Sequence, residues 1–270
     1  MTENKKVRSK QLEAIKTHWK KAGVNFPIDS KITPTSRDPY LGMLEEKYIL
    51  EFLPENCNAM EIGCGDGSHT LAYANKVKKL LGVDIADSLL DVAKTRMANT
   101  KFKNTDFICS SVLDFDQILK EEKFDCVISQ RCLINLPDWD TQKRAIEKIA
   151  DKIKSGGLLL FSEGFIDELE ELNKARNAVG LESISVAQYN HNFSRYSFEE
   201  FIKNEFDIVA TRHYGGYLFF SRVLHPLAVL PESPRHDSPI NRAAYETATA
   251  IDLPDTERFS YNRFYVLKKK

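Results

Sequence analysis

Residues Glu61-Ile62-Gly63-Cys64-Gly65-Asp66-Gly67 stand between a short apolar run, Ala59–Ile62, and a helical pattern that starts at Thr70. A glycine-rich loop that leaves a strand and opens a helix turns backbone N–H groups and the helix N-terminus toward a ligand. Glycines at 63, 65 and 67 let the chain turn tightly and leave the ligand room. The dinucleotide fingerprint G-x-G-x-x-G needs a third glycine where this chain has Ser68, so a nicotinamide dinucleotide is the weaker ligand class. Glu61 at the loop's start would repel a pyrophosphate and suits a cation, such as the ammonium and sulfonium end of S-adenosylmethionine.

Downstream, strand and helix patterns alternate. Ala59–Ile62, Lys79–Val83, Asp106–Ser110, Phe124–Ser129 and Leu158–Ser162 read as short apolar strands, and Thr70–Lys78, Asp87–Ala98 and Thr141–Ile153 as crossover helices. Five strands separated by helices argue for a doubly wound, parallel α/β sheet. Phe206–Arg212 and Tyr261–Leu267 add two later strands, for a seven-stranded, mostly parallel, Rossmann-like sheet. Lys154-Ser155-Gly156-Gly157 reads as the turn into the fifth strand. The second strand ends in Val83-Asp84-Ile85, where a carboxylate can accept hydrogen bonds from both ribose hydroxyls and a branched apolar residue can cover an adenine.

Ahead of this core, Lys5–Trp19 and Tyr40–Phe52 have helical periodicity, joined by a link rich in turn residues from Ala22 to Pro39. After Gly164 the alternation is lost until Phe198–Asn204 reads as a helix. Gly215–Ser260, with Pro226, Pro231, Pro234, Pro239 and Pro254, reads as an irregular insertion. The organisation expected is an N-terminal helical lid (1–53), a cofactor-binding core (54–163) and a remainder of the sheet carrying acceptor-binding insertions (164–270).

Bulk properties exclude several classes. With 270 residues, 42% hydrophobic and 29% charged, and a net charge of -1, the chain can bury a core and has no basic bias toward nucleic acid. Met1–Lys10 is charged and lacks a signal-like apolar stretch, and Tyr217–Leu230 is too short and too interrupted to span a bilayer. The five cysteines, Cys57, Cys64, Cys109, Cys126 and Cys132, form no C-x-x-C pair, which suits reduced thiols. A cytoplasmic protein without a membrane span is expected.

The motif E-I-G-C-G-D-G, the V-D-I of the second strand and the S-G-G before the fifth resemble class I S-adenosylmethionine-dependent methyltransferases, specifically over residues 40 to 165. The resemblance implies S-adenosylmethionine as cofactor, held by Glu61, Gly63, Cys64, Gly65, Asp84 and Ile85. It implies adenine contacts from Ser111 and Val112, where the family often has an aspartate and this chain has Asp114 a little later. Gln130 and Arg131, after the fourth strand, would face both cofactor and acceptor. Arg37 and Tyr40, in T-P-T-S-R-D-P-Y, fall where related enzymes cover the cofactor's methionine end, and Arg37 would pair with its carboxylate. Gln130 stands where catechol methyltransferases place a metal-binding carboxylate, so no metal is expected.

The stretches Q-R-C-L-I-N-L, R-V-L-H-P, P-E-S-P and D-S-P-I-N resemble a bacterial subgroup associated with surface-polysaccharide gene clusters, and more narrowly capsule-linked enzymes of O-methyl phosphoramidate decoration. A saccharide or phosphorylated precursor is the acceptor this implies, with oxygen favoured over nitrogen or carbon as its methylated atom. His191, His213, His225 and His236 fall close together with Arg195, Arg212, Arg222 and Arg235, which suits a polar, anionic acceptor. His191, His225 and Arg131 are the candidate catalytic residues. The competing class, a non-catalytic protein that keeps the fold, predicts erosion of Glu61, the glycines or Asp84, all of which stand intact.

Overall fold

The computed structural model describes residues 3–24, 33, 35, 37–251 and 253–270. Most of the turn-rich link between Ala22 and Pro39 lies outside the described residues. Seven strands, β1 (Asn58–Ile62), β2 (Lys79–Asp84), β3 (Thr105–Cys109), β4 (Phe124–Gln130), β5 (Ile153–Gly164), β6 (Phe206–His213) and β7 (Asn262–Lys269), form one sheet in the order β3-β2-β1-β4-β5-β7-β6. β1 to β5 are parallel, and β7 runs antiparallel to both β5 and β6.

Burial on both faces explains why the central strands are continuously apolar rather than alternating. Met60, Ile62, Val127, Leu159, Phe161 and Tyr265 pack into one core; Ala59, Cys126, Ile128, Leu160, Phe264 and Val266 pack into the other. Helices cover both faces: α1 (Glu3–Ala22), α2 (Pro39–Phe52), α3 (Thr70–Ala74), α4 (Asp87–Ala98), α5 (Asp116–Leu119) and α6 (Trp139–Asp151) precede β5. The Asp138 carboxylate caps α6 by accepting the Thr141 amide at 2.8 Å, and Ala145, Ile146, Ile149 and Ala150 form the buried stripe.

The C-terminal half is more helical than the sequence patterns predict. Where alternation is lost, α7 (Ile166–Ala178) forms behind a narrow buried stripe of Glu168, Leu169 and Leu172, and α8 (Arg195–Ile202) follows. The proline-rich stretch carries α9 (Gly215–Phe219), a π-turn (Phe220–Leu224), α10 (His225–Val229) and α11 (Pro239–Ala250). Pro226 and Pro239 stand in the first turn of α10 and α11, where a missing N–H costs nothing, so they start helices instead of breaking them. The predicted Lys154–Gly157 turn is part of β5, opposite a register shift between Phe124 and Cys126. Among the described residues, no helix is long and apolar enough to cross a membrane.

Candidate active site

Strand order reverses between β1 and β4, and a cleft opens at the C-terminal ends of these strands, as doubly wound sheets dictate. The loop after β1 forms its floor. Gly63 and Gly65 have φ of +71° and +54°; a Cβ would lie 2.5 Å from Cys132 Sγ at the first and 2.7 Å from Thr35 Cγ2 at the second. Only glycine fits either position without strain. Asp84, at the end of β2, accepts the Gly65 amide at 2.9 Å through Oδ2 and the Ala86 amide at 2.8 Å through Oδ1. Each oxygen keeps a lone pair for a ribose hydroxyl. Burial raises the Asp84 pKa, against the opposing pull of the two amides.

Of the positions the sequence singled out, Gly63, Gly65, Asp84, Ile85, Ser111, Val112, Gln130 and Arg131 line this cleft together. Glu61 and Cys64 do not. The Glu61 carboxylate is buried beneath the loop and accepts the Thr70 hydroxyl at 2.6 Å; burial pushes its pKa up to about 8. The Cys64 thiol is buried, and burial holds its pKa well above the usual value.

The far wall is organised by a residue that sequence reasoning passed over. Glu45, fully buried on α2, accepts Gln130 Nε2 at 2.9 Å and Asn262 Nδ2 at 3.0 Å and pairs with Arg131 Nε at 3.2 Å. Tyr73 donates its hydroxyl to the Gln130 carbonyl oxygen at 2.8 Å, so both ends of that amide are fixed. The signal was available: Glu45 follows Leu41 and Leu44 on the apolar face of a helix, where an unpaired carboxylate would be costly. Arg131 has φ +49°, a left-handed conformation that strains a non-glycine residue by roughly 1–3 kcal/mol and concentrates at functional sites.

Helix α1 covers the cleft with Leu12, Ile15 and Trp19. It is tied down by Arg8 to Asp138 at 2.6 Å, Lys20 to Asp87 at 2.9 Å and the Ser88 hydroxyl donating to the Lys20 carbonyl at 2.6 Å. Trp19, Thr35, Arg131 and Asn135 also line a second, more polar cleft, where Arg37, Asp38, Asn190, Asn192, Arg222 and His236 gather. A groove with His18, Lys21 and Arg235 continues outward from it past Arg37, Tyr189 and His236.

Three predicted positions need correction. His191 is exposed in a separate recess with Trp139 and Gln142, where its backbone is bonded to Ile134 and Gln142. His225 is 2% exposed, with Nδ1 2.9 Å from Asn241 Oδ1, in the packing between α10 and α11. Tyr40 turns toward Tyr245 of α11, ring centres 6.0 Å apart, so α2 faces its helical neighbour at this position and not the cofactor cleft. Arg37 lines the second, polar cleft.

Residues 59–157 match the family model of a methyltransferase domain. Phosphoethanolamine N-methyltransferase 3 of Arabidopsis thaliana is 29% identical over 153 residues, 56% of this chain and 30% of that protein. A ubiquinone biosynthesis O-methyltransferase of Coxiella burnetii (strain Dugway 5J108-111) is 33% identical over 106 residues, 39% of this chain and 42% of its own. This chain therefore spans less than half the length of either relative.

Among solved structures, the fold matches the N-methyltransferase NodS of Bradyrhizobium japonicum WM9 in complex with S-adenosyl-L-homocysteine, with a TM-score of 0.54 and 14% identity, over 95% of this chain and 98% of that one. It also matches Haemonchus contortus phosphoethanolamine N-methyltransferase 1 in complex with phosphoethanolamine and S-adenosylhomocysteine, with a TM-score of 0.62 and 14% identity, over all of this chain and 50% of that one. The chain thus shares the fold of these structures, and its residues 59–157 match a methyltransferase domain. The left-handed glycines and the remaining lone pairs of Asp84 would fit S-adenosylmethionine.

Proposed function

We propose that this chain is an S-adenosylmethionine-dependent methyltransferase that methylates an oxygen of a small, polar, anionic acceptor, a saccharide or phosphorylated precursor. The observation that carries the reading is the polar cleft that shares Trp19, Thr35, Arg131 and Asn135 with the cofactor cleft. Its wall combines the guanidinium groups of Arg37, Arg131 and Arg222 with the amides of Asn135, Asn190 and Asn192. Guanidinium groups favour phosphate and carboxylate, and amides favour hydroxyl-rich ligands. When bound, the cofactor supplies a methyl group on a positively charged sulfur. The protein's part is to hold the acceptor in line and exclude water, which the α1 cover supports.

In this reading Gly63, Gly65, Asp84, Ile85, Ser111, Val112 and Gln130 hold the cofactor, 1–53 serves as the lid and 164–270 supplies the acceptor side. The setting is cytoplasmic surface-polysaccharide synthesis, with capsule and O-methyl phosphoramidate decoration as its narrower forms, supported by the resemblance of Q-R-C-L-I-N-L and its companion stretches. Tritiated-methyl transfer to glucose 1-phosphate, UDP-glucose and phosphoethanolamine tests it, with products read by mass spectrometry. Methylation of a sugar substrate on oxygen is the expected result. Methylation of phosphoethanolamine alone would move the acceptor atom to nitrogen, and inactivity on all three would set aside this acceptor class.

A further inference from the structure

Asp38 lies 5% exposed in the wall of the acceptor cleft. Its Oδ1 accepts the Tyr217 hydroxyl at 2.6 Å and the Leu41 amide at 3.1 Å; its Oδ2 pairs with Arg222 and lies 3.7 Å from His236 Nδ1. Burial opposes the charge on Asp38, but Arg222 and Tyr217 outweigh it and hold the carboxyl below its usual pKa. An ionised carboxylate only accepts, so Asp38 favours the neutral tautomer with hydrogen on Nδ1 and a lone pair on Nε2. The separation exceeds hydrogen-bond length, and catalytic contacts of this kind commonly tighten when substrate binds.

The backbone of His236 is also fixed. Asn241 is fully buried, donates through Nδ2 to the His236 carbonyl at 3.1 Å and meets His225 Nδ1 at 2.9 Å through Oδ1. Asn241 thus links His225 to the His236 backbone. The His236 side chain keeps 43% of its surface exposed and lines both the acceptor cleft and the outer groove. Facing it are Arg37 and Asp38 ahead of α2, Arg222 in the π-turn and His225 in α10, with Arg235 and Asp237 on its own segment and His18 and Lys21 of α1 along the groove. Burial, then Arg222, lower its proton affinity against the pull of Asp38, so the ring is neutral near pH 7.

We propose that His236, oriented by Asp38, takes the proton of an acceptor hydroxyl, so that the methylated oxygen is a sugar-type hydroxyl and not an ionised phosphoryl oxygen. The proposal rests on the O-methylation reading above. The hydroxyl oxygen bonds to the methyl carbon, the carbon–sulfur bond breaks with its electron pair going to sulfur, and the hydroxyl proton passes to Nε2 and later to solvent. S-adenosylhomocysteine and a methyl ether leave. A phosphoryl oxygen, already ionised, offers no proton for His236 to take.

Two readouts test it on the full chain. Long-range 15N–1H spectra of the imidazoles, taken with saturating S-adenosylhomocysteine and assigned with His236→Gln, should show His236 neutral near pH 7 with a bare Nε2. A cationic ring, or hydrogen on Nε2, overturns the proposal. This arm needs no acceptor, so it stands apart from any failure of the O-methylation reading, which would appear as a wild type that methylates neither sugar substrate. With glucose 1-phosphate or UDP-glucose, whichever the wild type methylates, His236→Gln should lower kcat by about 100-fold or more. The residual rate should climb with pH, and affinity for S-adenosylhomocysteine should stay unchanged. His191→Gln, outside the cleft, should match the wild type. An unchanged kcat in His236→Gln sinks the idea.

Discussion

The Asp84 carboxylate accepts the Gly65 amide at 2.9 Å, which makes the end of β2 and the apex of the glycine loop one hydrogen-bonded unit. Asp84 therefore shapes the loop as well as offering lone pairs to a ribose. Asp84→Ala should weaken S-adenosylhomocysteine binding about 10-fold or more, since a hydrogen bond to a charged group contributes roughly 1.5–3 kcal/mol. Asp84→Asn, which keeps an acceptor oxygen for Gly65, should lose less. Calorimetric titration decides; equal affinities for all three chains would remove Asp84 from the cofactor site.

The glycine loop and Asp84 were legible in sequence because their chemistry is local: a turn that tolerates no side chain, and a polar residue at the end of an apolar strand. Glu45 was not, because its partners Gln130, Arg131 and Asn262 come from three distant segments that only the fold brings together. His191 and His225 misled for the converse reason. Their proximity in sequence to His236 and Arg222 says nothing about facing: His191 lies in a separate recess, and His225 is held by Asn241. The helices after Gly215 were hidden by prolines that stand at their first turns, where proline is a helix start.

Glu61 makes stability depend on pH in a direction opposite to a salt-bridged carboxylate. Its pKa in the folded chain is about 8 against an ordinary 4.5, because of burial. Between those values the folded form still holds the proton and the unfolded form has lost it, so stability is full below about 4.5 and falls as pH rises toward about 8. Glu163, similarly buried with a pKa of about 7, adds a slope that ends earlier. Glu61→Gln should therefore make the decline less steep between about pH 5.5 and 7, where the one proton it removes accounts for about 1.4 kcal/mol per pH unit. Urea unfolding of both chains across that interval measures it, and parallel declines would refute the assignment.

Trp19 touches both halves of the site. It lines the cofactor cleft and the acceptor cleft, and its ring stands edge-on to Tyr189 at 5.8 Å and to His18 at 5.1 Å. The other tryptophan, Trp139, packs on Phe193 and Phe201 and lines neither of these clefts. S-adenosylhomocysteine should therefore change the intrinsic fluorescence through Trp19, and Trp19→Phe should abolish the change while Trp139→Phe keeps it. Trp19→Ala should also weaken binding about 10-fold or more, because burying a large apolar side chain contributes roughly 1.5–3 kcal/mol. Arg8→Ala removes only a partly exposed ion pair that helps hold the same helix, worth about 0–1 kcal/mol, and should bind almost as the wild type does. If Arg8→Ala lost as much affinity as Trp19→Ala, docking of α1 as a whole, and not the Trp19 ring, would be what covers the cofactor.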